Sequence, residues 1–306
     1  VALDLVREMR LVCLNCDVIT YSAAITSCEK GEQWEMALYL LKEMPRHGIS
    51  PNVVSFSATI SACEKGYQWA HALQLFQIMR DNALKFNTIT CNAIITACGK
   101  GQHWAISLAL FEEMMDSDIR PSDVTYNALI SACEKSSEWS AALAFLEQGH
   151  GPLSGPSIVG FNAAISACCK GQEWTKSLHL LDGAAQRGIT ADAISYNAAI
   201  SACEKGQRWV TALLLLQQMT RRMLAPTEAT HSAIIAVCEA AHQWVSSLNA
   251  LRDMSELALL PNVAAYSAAI SACGKGQQWT VSLALLQRML ETRVGRNVIV
   301  QNAAIS

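Results

Sequence analysis

The sequence lacks most of the features that announce a function. No stretch approaches 18 consecutive apolar residues, so nothing in it reads as a membrane-spanning helix. Neither charge dominates. Lys and Arg number 23 against 26 Asp and Glu, a formal net charge of −3. That balance argues against indiscriminate polyanion binding but leaves room for a local basic stripe. No His-x-Glu with a downstream Cys-x-x-Cys is present, so a zinc deaminase site is excluded. The acidic residues are scattered rather than clustered, which removes the ion-holding carboxylates of a metal nuclease. No catalytic, cofactor or metal site is therefore expected, and the chain reads as a binding protein rather than an enzyme. No targeting segment is visible at Val1. The chain starts without Met and stops in mid-repeat at Ser306, so it is expected to be part of a longer protein. Disorder is not expected, because 51% of the residues are apolar.

What is present is repetition. "YNAAISACEKGQRW" at 196–209 returns as "YSAAISACGKGQQW" at 266–279 and "FSATISACEKGYQW" at 56–69. Cys28, Cys63, Cys98, Cys133, Cys168, Cys203, Cys238 and Cys273 are spaced 35 residues apart, and so are Trp34, Trp69, Trp104, Trp139, Trp174, Trp209, Trp244 and Trp279. The period divides the chain into eight repeats, 18–52, 53–87, 88–122, 123–157, 158–192, 193–227, 228–262 and 263–297. A second-helix fragment at 1–17 precedes them, and 298–306 starts a further repeat. A period of this size overrides the usual inference from length, because an array grows by stacking and has no single core.

The twelve cysteines do not form a disulfide or zinc framework. Eight occupy one repeat position, and neighbouring helices at roughly 8–10 Å hold them too far apart to bridge. They read as small buried apolar residues of a reducing compartment. Cys13 and Cys16 make a solitary Cys-x-x-Cys with no second pair or histidine, and Cys168–Cys169 is a core position beside an exposed one.

Within a repeat, numbered 1 to 35 from Val53, positions 4, 7, 8 and 11 are apolar, as at Tyr196, Ala199, Ile200 and Cys203. That spacing is one face of a helix. From Trp at position 17 a second helix follows with a broader apolar face: Trp209, Ala212, Leu213, Leu215, Leu216 and Met219. Gly206 is predicted to take a left-handed conformation in the turn between them. Pro226 closes the repeat, where neither helix continues. Each repeat is thus a helical hairpin that buries its apolar faces only by stacking on its neighbours. "EQGHGPLSGPS" at 147–157 should end one second helix early. "DGAAQRG" at 182–188 should weaken the next, giving a softer joint in mid-array.

A second stripe lies about 140° from the core face, at positions 5, 9, 12 and 13. Position 13 is Lys in seven repeats: Lys30, Lys65, Lys100, Lys135, Lys170, Lys205 and Lys275, with Ala240 the exception. These lysines either complement the helix C-terminus and face water or form a row of phosphate contacts. Position 2 holds Ile19, Val54, Ile89, Val124, Val159 and Ile194 on the polar side, with Ala229 and Ala264 in the last two repeats. This row is either a hydrophobic staple at the helix start or a set of aliphatic pairs between which a flat base slips. Position 35 holds good N-cap residues throughout. It also tracks position 5 of its own repeat. Ser22, Ser57, Ser232 and Ser267 go with Asn52, Asn87, Asn262 and Asn297. Asn92, Asn127, Asn162 and Asn197 go with Ser122, Ser157, Asp192 and Thr227. Capping gives no reason for two positions 30 residues apart to match.

These columns, with "VTYNALISACEKS" at 124–136 and "EEMMDSDIRPSD" at 112–123, resemble the pentatricopeptide repeat family of the plain 35-residue type. Tetratricopeptide repeats differ in having a period of 34. The resemblance covers the whole chain. It implies an all-α, right-handed superhelical solenoid of helical hairpins, with the position-5 residues on the concave face. It further implies sequence-specific binding of single-stranded RNA, one base per repeat. Positions 5 and 35 would read the base, position 2 would pack on its faces and position 13 would lie near phosphate. Asn at position 5 would go with pyrimidines and Ser with purines. The resemblance also implies a monomer working on organellar transcripts in mitochondria or plastids, beside other RNA-processing proteins and away from membranes. Ala229 and Ala264 should grip weakly, Ala240 breaks the lysine row, and Arg296 replaces the usual Pro. The competing expectation is a scaffold whose concave surface takes a peptide or a partner helix, which the acidic net charge favours.

Overall fold

A computed structural model of the chain describes residues 17–149 and 157–291. Sixteen α-helices and no strand occur among the described residues. The chain divides into two compact halves, Val1–Gly155 and Pro156–Ser306. The first contains α1 (Val18–Lys30), α2 (Trp34–Arg46), α3 (Val53–Lys65), α4 (Trp69–Asp81), α5 (Thr88–Lys100), α6 (Trp104–Asp116), α7 (Asp123–Lys135) and α8 (Trp139–Gln148). The second contains α9 (Ile158–Lys170), α10 (Trp174–Gln186), α11 (Ala193–Lys205), α12 (Trp209–Arg221), α13 (Glu228–Ala240), α14 (Trp244–Glu256), α15 (Val263–Lys275) and α16 (Trp279–Glu291). The flanking fragments, Arg296 and Asn297 lie outside the described residues.

Within each half, every odd-numbered helix packs on the odd-numbered helices beside it. Each even-numbered helix packs on its hairpin partner and on the first helix of the next hairpin, but not on another even-numbered helix. First helices therefore form one close layer and second helices a more widely spaced one. The core lies between the layers. Ile25, Ile60, Ile95, Cys63 and Cys98 of the first layer are buried, as are Ile165, Ile200, Ile235 and Ile270 in the second half. Met44, Met79, Met114, Met219 and Met254 seal it from the second helices. All eight repeat cysteines are free and buried, as the spacing predicts.

The turn inside each hairpin departs from expectation. Gly206 is right-handed, with φ −87° and ψ 0°. The left-handed residue is the next one, Gln207 at φ 51°, and the same position is left-handed in all eight hairpins, from Glu32 to Gln277. The turn is fixed by backbone hydrogen bonds that reach back over it. The N–H of Gln68 donates to Cys63 O at 2.8 Å and that of Arg208 to Cys203 O at 2.9 Å. They satisfy carbonyls that the helix end would otherwise orphan.

Glycine occupies position 14 in six of the eight repeats, for a different reason. A Cβ on Gly101 would lie 2.6 Å from Trp69 Cδ1, and one on Gly206 2.7 Å from Trp174 Cδ1. Trp34, Trp69, Trp174 and Trp244 each lie against the turn of the following hairpin, where a Cβ on the glycine would come within 2.8 Å of the ring. Arg208 covers the Trp174 ring from outside, at 4.7 Å. The tryptophan column therefore welds repeats together.

Among the described residues the mid-array irregularity is confined to one helix. α8 stops after ten residues, where the other helices have thirteen. Gly149 stands where most repeats place the buried Met. The predicted weakening of the next hairpin is not found: α10 keeps thirteen residues, with Gly183 inside it. Ala184 is buried at the Met position there, so a smaller side chain fills the site without breaking the helix.

A candidate nucleic-acid interface along the first helices

The site is assembled from the start of each first helix. Position 35 caps the helix that follows it. Asn52 Oδ1 accepts the Ser55 N–H at 2.9 Å, Asn87 Oδ1 that of Thr90 at 3.0 Å, Asp192 Oδ1 that of Ser195 at 2.9 Å and Asn262 Oδ1 that of Ala265 at 2.8 Å. Thr227 accepts the Thr230 N–H at 3.4 Å, and Ser157 takes the Val159 N–H at 3.2 Å. Ser122 anchors the same turn through its backbone N–H, which donates to Thr125 Oγ1 at 2.9 Å.

Capping does not exhaust these side chains. Stacking brings the position-5 residue of the same repeat beside them. Asn92 Nδ2 donates to Ser122 Oγ at 3.4 Å, and Asn162 Nδ2 donates to both carboxylate oxygens of Asp192, at 3.1 and 3.3 Å. In these two repeats, residues 30 apart in sequence thus meet at one surface. Asn127 and Asn197 are half-buried at the same helical position. Ser57 and Ser267 are half-buried as well. The hydroxyls of Ser22 and Ser232 are buried and have no hydrogen-bond partner.

Asp192 is the only carboxylate in the column. Burial acts to raise its pKa, but the Ser195 N–H, the Asn162 amide and the Ser195 hydroxyl outweigh it and hold the group below the ordinary carboxylate value. It is an ionised, acceptor-only group at neutral pH.

The aliphatic residues at position 2 stand in solvent beside this polar row. Their exposure runs from 57% for Val54 to 76% for Ile19, with Ile89, Val124, Val159 and Ile194 between. A hydrophobic staple would cover them, so that reading fails. Ala229 and Ala264 are exposed too, with far less apolar surface.

The lysine row is not a simple row of free cations. Lys65 Nζ lies 3.1 Å from Glu29 Oε1, Lys100 Nζ 2.6 Å from Glu64 Oε1, and Lys275 Nζ 3.1 Å from Glu239 Oε1. Each bridge joins position 13 of one repeat to position 12 of the repeat before. Lys205 sits 3.7 Å from Glu204 on its own helix. Lys30 and Lys170 are exposed and Lys135 is half-buried.

Two contributors were not foreseen from the sequence. One is this set of acidic residues at position 12. The other is a hydroxyl at position 3: Ser55, Thr90, Thr125, Ser195 and Thr230 are all buried. Thr125 Oγ1 donates to Asn92 Oδ1 at 2.7 Å, Ser195 Oγ to Asn162 Oδ1 at 2.5 Å and Thr230 Oγ1 to Asn197 Oδ1 at 2.7 Å. Ser57 and Thr90 share a hydrogen bond of 2.6 Å. The available signal was Ser or Thr at position 3 in six of eight repeats, Gly160 and Ala265 being the exceptions.

Among the described residues no group of His, Cys, Asp or Glu is placed to hold a metal, and no helix is long and apolar enough to cross a membrane. The chain matches no curated protein sequence. It is similar in fold to the pentatricopeptide repeat protein PPR10 from maize, with 21% identity and a TM-score of 0.65 over 99% of this chain and 48% of that one. Against PPR10 in complex with an 18-nt psaJ RNA element the identity is 17% and the TM-score 0.68, over 99% and 49% of the two chains. The PPR domain of Arabidopsis thaliana protein-only RNase P 1, in complex with tRNA, gives 13% identity and a TM-score of 0.51 over 58% of this chain and 94% of that domain. The chain spans about half the length of PPR10. Family sequence models match it over residues 16–65 and 86–135 (PPR repeat family), 124–148 (PPR repeat) and 179–240 (pentatricopeptide repeat domain). These matches cover more than half of the sequence, and with an all-α hairpin solenoid beneath them the chain belongs to the pentatricopeptide repeat family.

Proposed function

We propose that the chain binds single-stranded RNA sequence-specifically, one base per hairpin. Its role would be that of an adaptor in the processing, stability or translation of mitochondrial or plastid transcripts. The observation that carries this reading is the pairing, repeat after repeat, of an exposed aliphatic residue with a polar couple at the head of the helix. An aliphatic pair from successive repeats offers a slot of the kind that holds a flat base. The couple at positions 5 and 35 offers hydrogen-bonding groups to its edge. The lysines supply cations near the backbone, and no group in the row is arranged for catalysis.

The chemistry of position 35 sets the base order. Uracil and guanine present a ring N–H, whereas cytosine and adenine present a bare ring nitrogen. Ionised Asp192 only accepts, so it selects a ring N–H, while Asn, Ser and Thr also donate. With Asn at position 5 for pyrimidines and Ser for purines, the target reads 5′-A-A-C-C-U-pyrimidine-A-A-3′, chain and RNA running in parallel. Filter binding with random single-stranded RNA, then with this octamer and its reverse, tests the reading. The octamer should bind at least about tenfold tighter, the equivalent of one lost base contact. Absence of RNA binding would overturn the proposal and favour a peptide-binding scaffold.

A further inference from the structure

We infer that the buried hydroxyl at position 3 of the following repeat is a positioning residue for base reading: it turns the position-5 asparagine so that its amide N–H groups, and not its carbonyl oxygen, face the RNA. The inference rests on the RNA-binding reading above and names a determinant outside positions 2, 5, 13 and 35.

Three asparagines carry the geometry. Asn92, Asn162 and Asn197 each give their Oδ1 to a hydroxyl 33 residues on, from Thr125, Ser195 and Thr230. Those hydroxyls are fully buried, so the carbonyl oxygen is drawn inward. At each site the hydroxyl is the donor and the amide oxygen the acceptor. Thr125 Oγ1 accepts the Ser122 N–H at 2.9 Å and Thr230 Oγ1 accepts the Thr227 N–H at 3.0 Å, which leaves their own protons for the asparagine oxygen. At Asn162 the carboxylate of Asp192 only accepts, so the atom facing it is Nδ2 and the atom facing Ser195 is Oδ1. An asparagine in this pose offers the base a donor. Both pyrimidines carry an acceptor at O2 beside the pairing edge, and the donor meets it whether the base is C or U. The pose thus gives a physical reason for asparagine to accept pyrimidines as a class.

The test is Thr125→Val, which keeps the shape and removes the hydroxyl, read with octamers that differ only at the third base. In the intact protein C should be preferred over A there. In the valine variant the amide is free to turn its oxygen outward, and the preference should fall about tenfold. Preference at the first and fifth bases should not move, and Thr125→Ser should restore the third. Thr230→Val, read at the sixth base, repeats the experiment at a second repeat should the first variant not fold. A third-base preference that survives Thr125→Val overturns the inference and leaves base reading intact. An intact protein with no preference at the third base overturns both.

Discussion

Replacing Asp192 with Asn tests the base-reading surface at its one charged point. The carboxylate accepts the Ser195 N–H on Oδ1 at 2.9 Å and the Asn162 amide at 3.1 Å on Oδ1 and 3.3 Å on Oδ2. Oδ1 carries the cap and the shorter amide contact, which leaves Oδ2 the less committed oxygen and the one able to take a ring N–H from uracil. Cytosine would place a lone pair there instead. An amide at 192 keeps an oxygen for the cap and brings an N–H to the base, so the preferred partner becomes the bare ring nitrogen of cytosine. The swing between U and C at the fifth base should be about 1–3 kcal/mol, or roughly 5- to 150-fold, the size of a base mismatch in protein–DNA recognition. Fluorescence anisotropy with two octamers differing only at that base, at one fixed salt concentration, measures it. The preference of the unaltered protein should also be flat between about pH 5 and 8. A carboxyl whose pKa falls on folding contributes stability that is fully present above its unfolded value, near 3.8, and is lost only as the pH falls through the lower folded value. A fifth-base preference untouched by Asp192→Asn would mean that residue 192 is a helix cap and nothing more, and the base code would fall with it.

Other outcomes follow from the packing and the charges. Seven lysines at about −0.7 each limit the log–log salt slope for RNA binding to about −5. The bridges from Lys65, Lys100 and Lys275 to glutamates should make it shallower, and Glu64→Gln should steepen it and tighten binding to all RNAs alike. Gly101→Ala should destabilise the array by about 1–3 kcal/mol in urea titrations, because its methyl group meets the Trp69 ring. Gly31→Ala, whose Cβ comes no closer than 3.5 Å to any atom, should stay within about 0.5 kcal/mol of the parent. Burial pushes the thiols of Cys63, Cys98, Cys133, Cys203 and Cys238 up to about 11. Iodoacetamide at pH 8 should therefore leave them unlabelled until denaturant is added; rapid labelling in the native state would contradict the buried column.

The helical hairpin, its borders and its buried faces were legible because they are written within one repeat, in the 3.6-residue spacing of Tyr196, Ala199, Ile200 and Cys203. The N-caps were legible because each lies directly before the helix it caps. What stayed hidden joins one repeat to another. Thr125 reaches Asn92 across 33 residues, Lys100 reaches Glu64 across 36, and Trp69 rests on Gly101 across 32. Such pairings depend on the rise and rotation between stacked hairpins, which no single repeat contains. Gly206 was misread for that reason: local chemistry offers glycine for a left-handed turn, but the neighbour's indole had already claimed the space. The 5/35 columns were the exception, because their residues vary together along the chain and so betray a contact that spacing alone does not.

The cap at position 35 ties two kinds of information to one side chain. Each such residue belongs to the surface of its own repeat and to the folding of the next, since it holds down the first turn of the following helix. A change of letter is therefore also a change in a neighbour's foundation. Asn, Asp, Ser and Thr satisfy both demands, and an apolar substitute would leave the next helix with unsatisfied N–H groups whatever base it favoured. The eight repeats use only these four letters at this position, all of them good helix caps. Anyone rewriting the array inherits the same alphabet, and the stability of repeat n+1 is the gauge of whether repeat n has been rewritten within it.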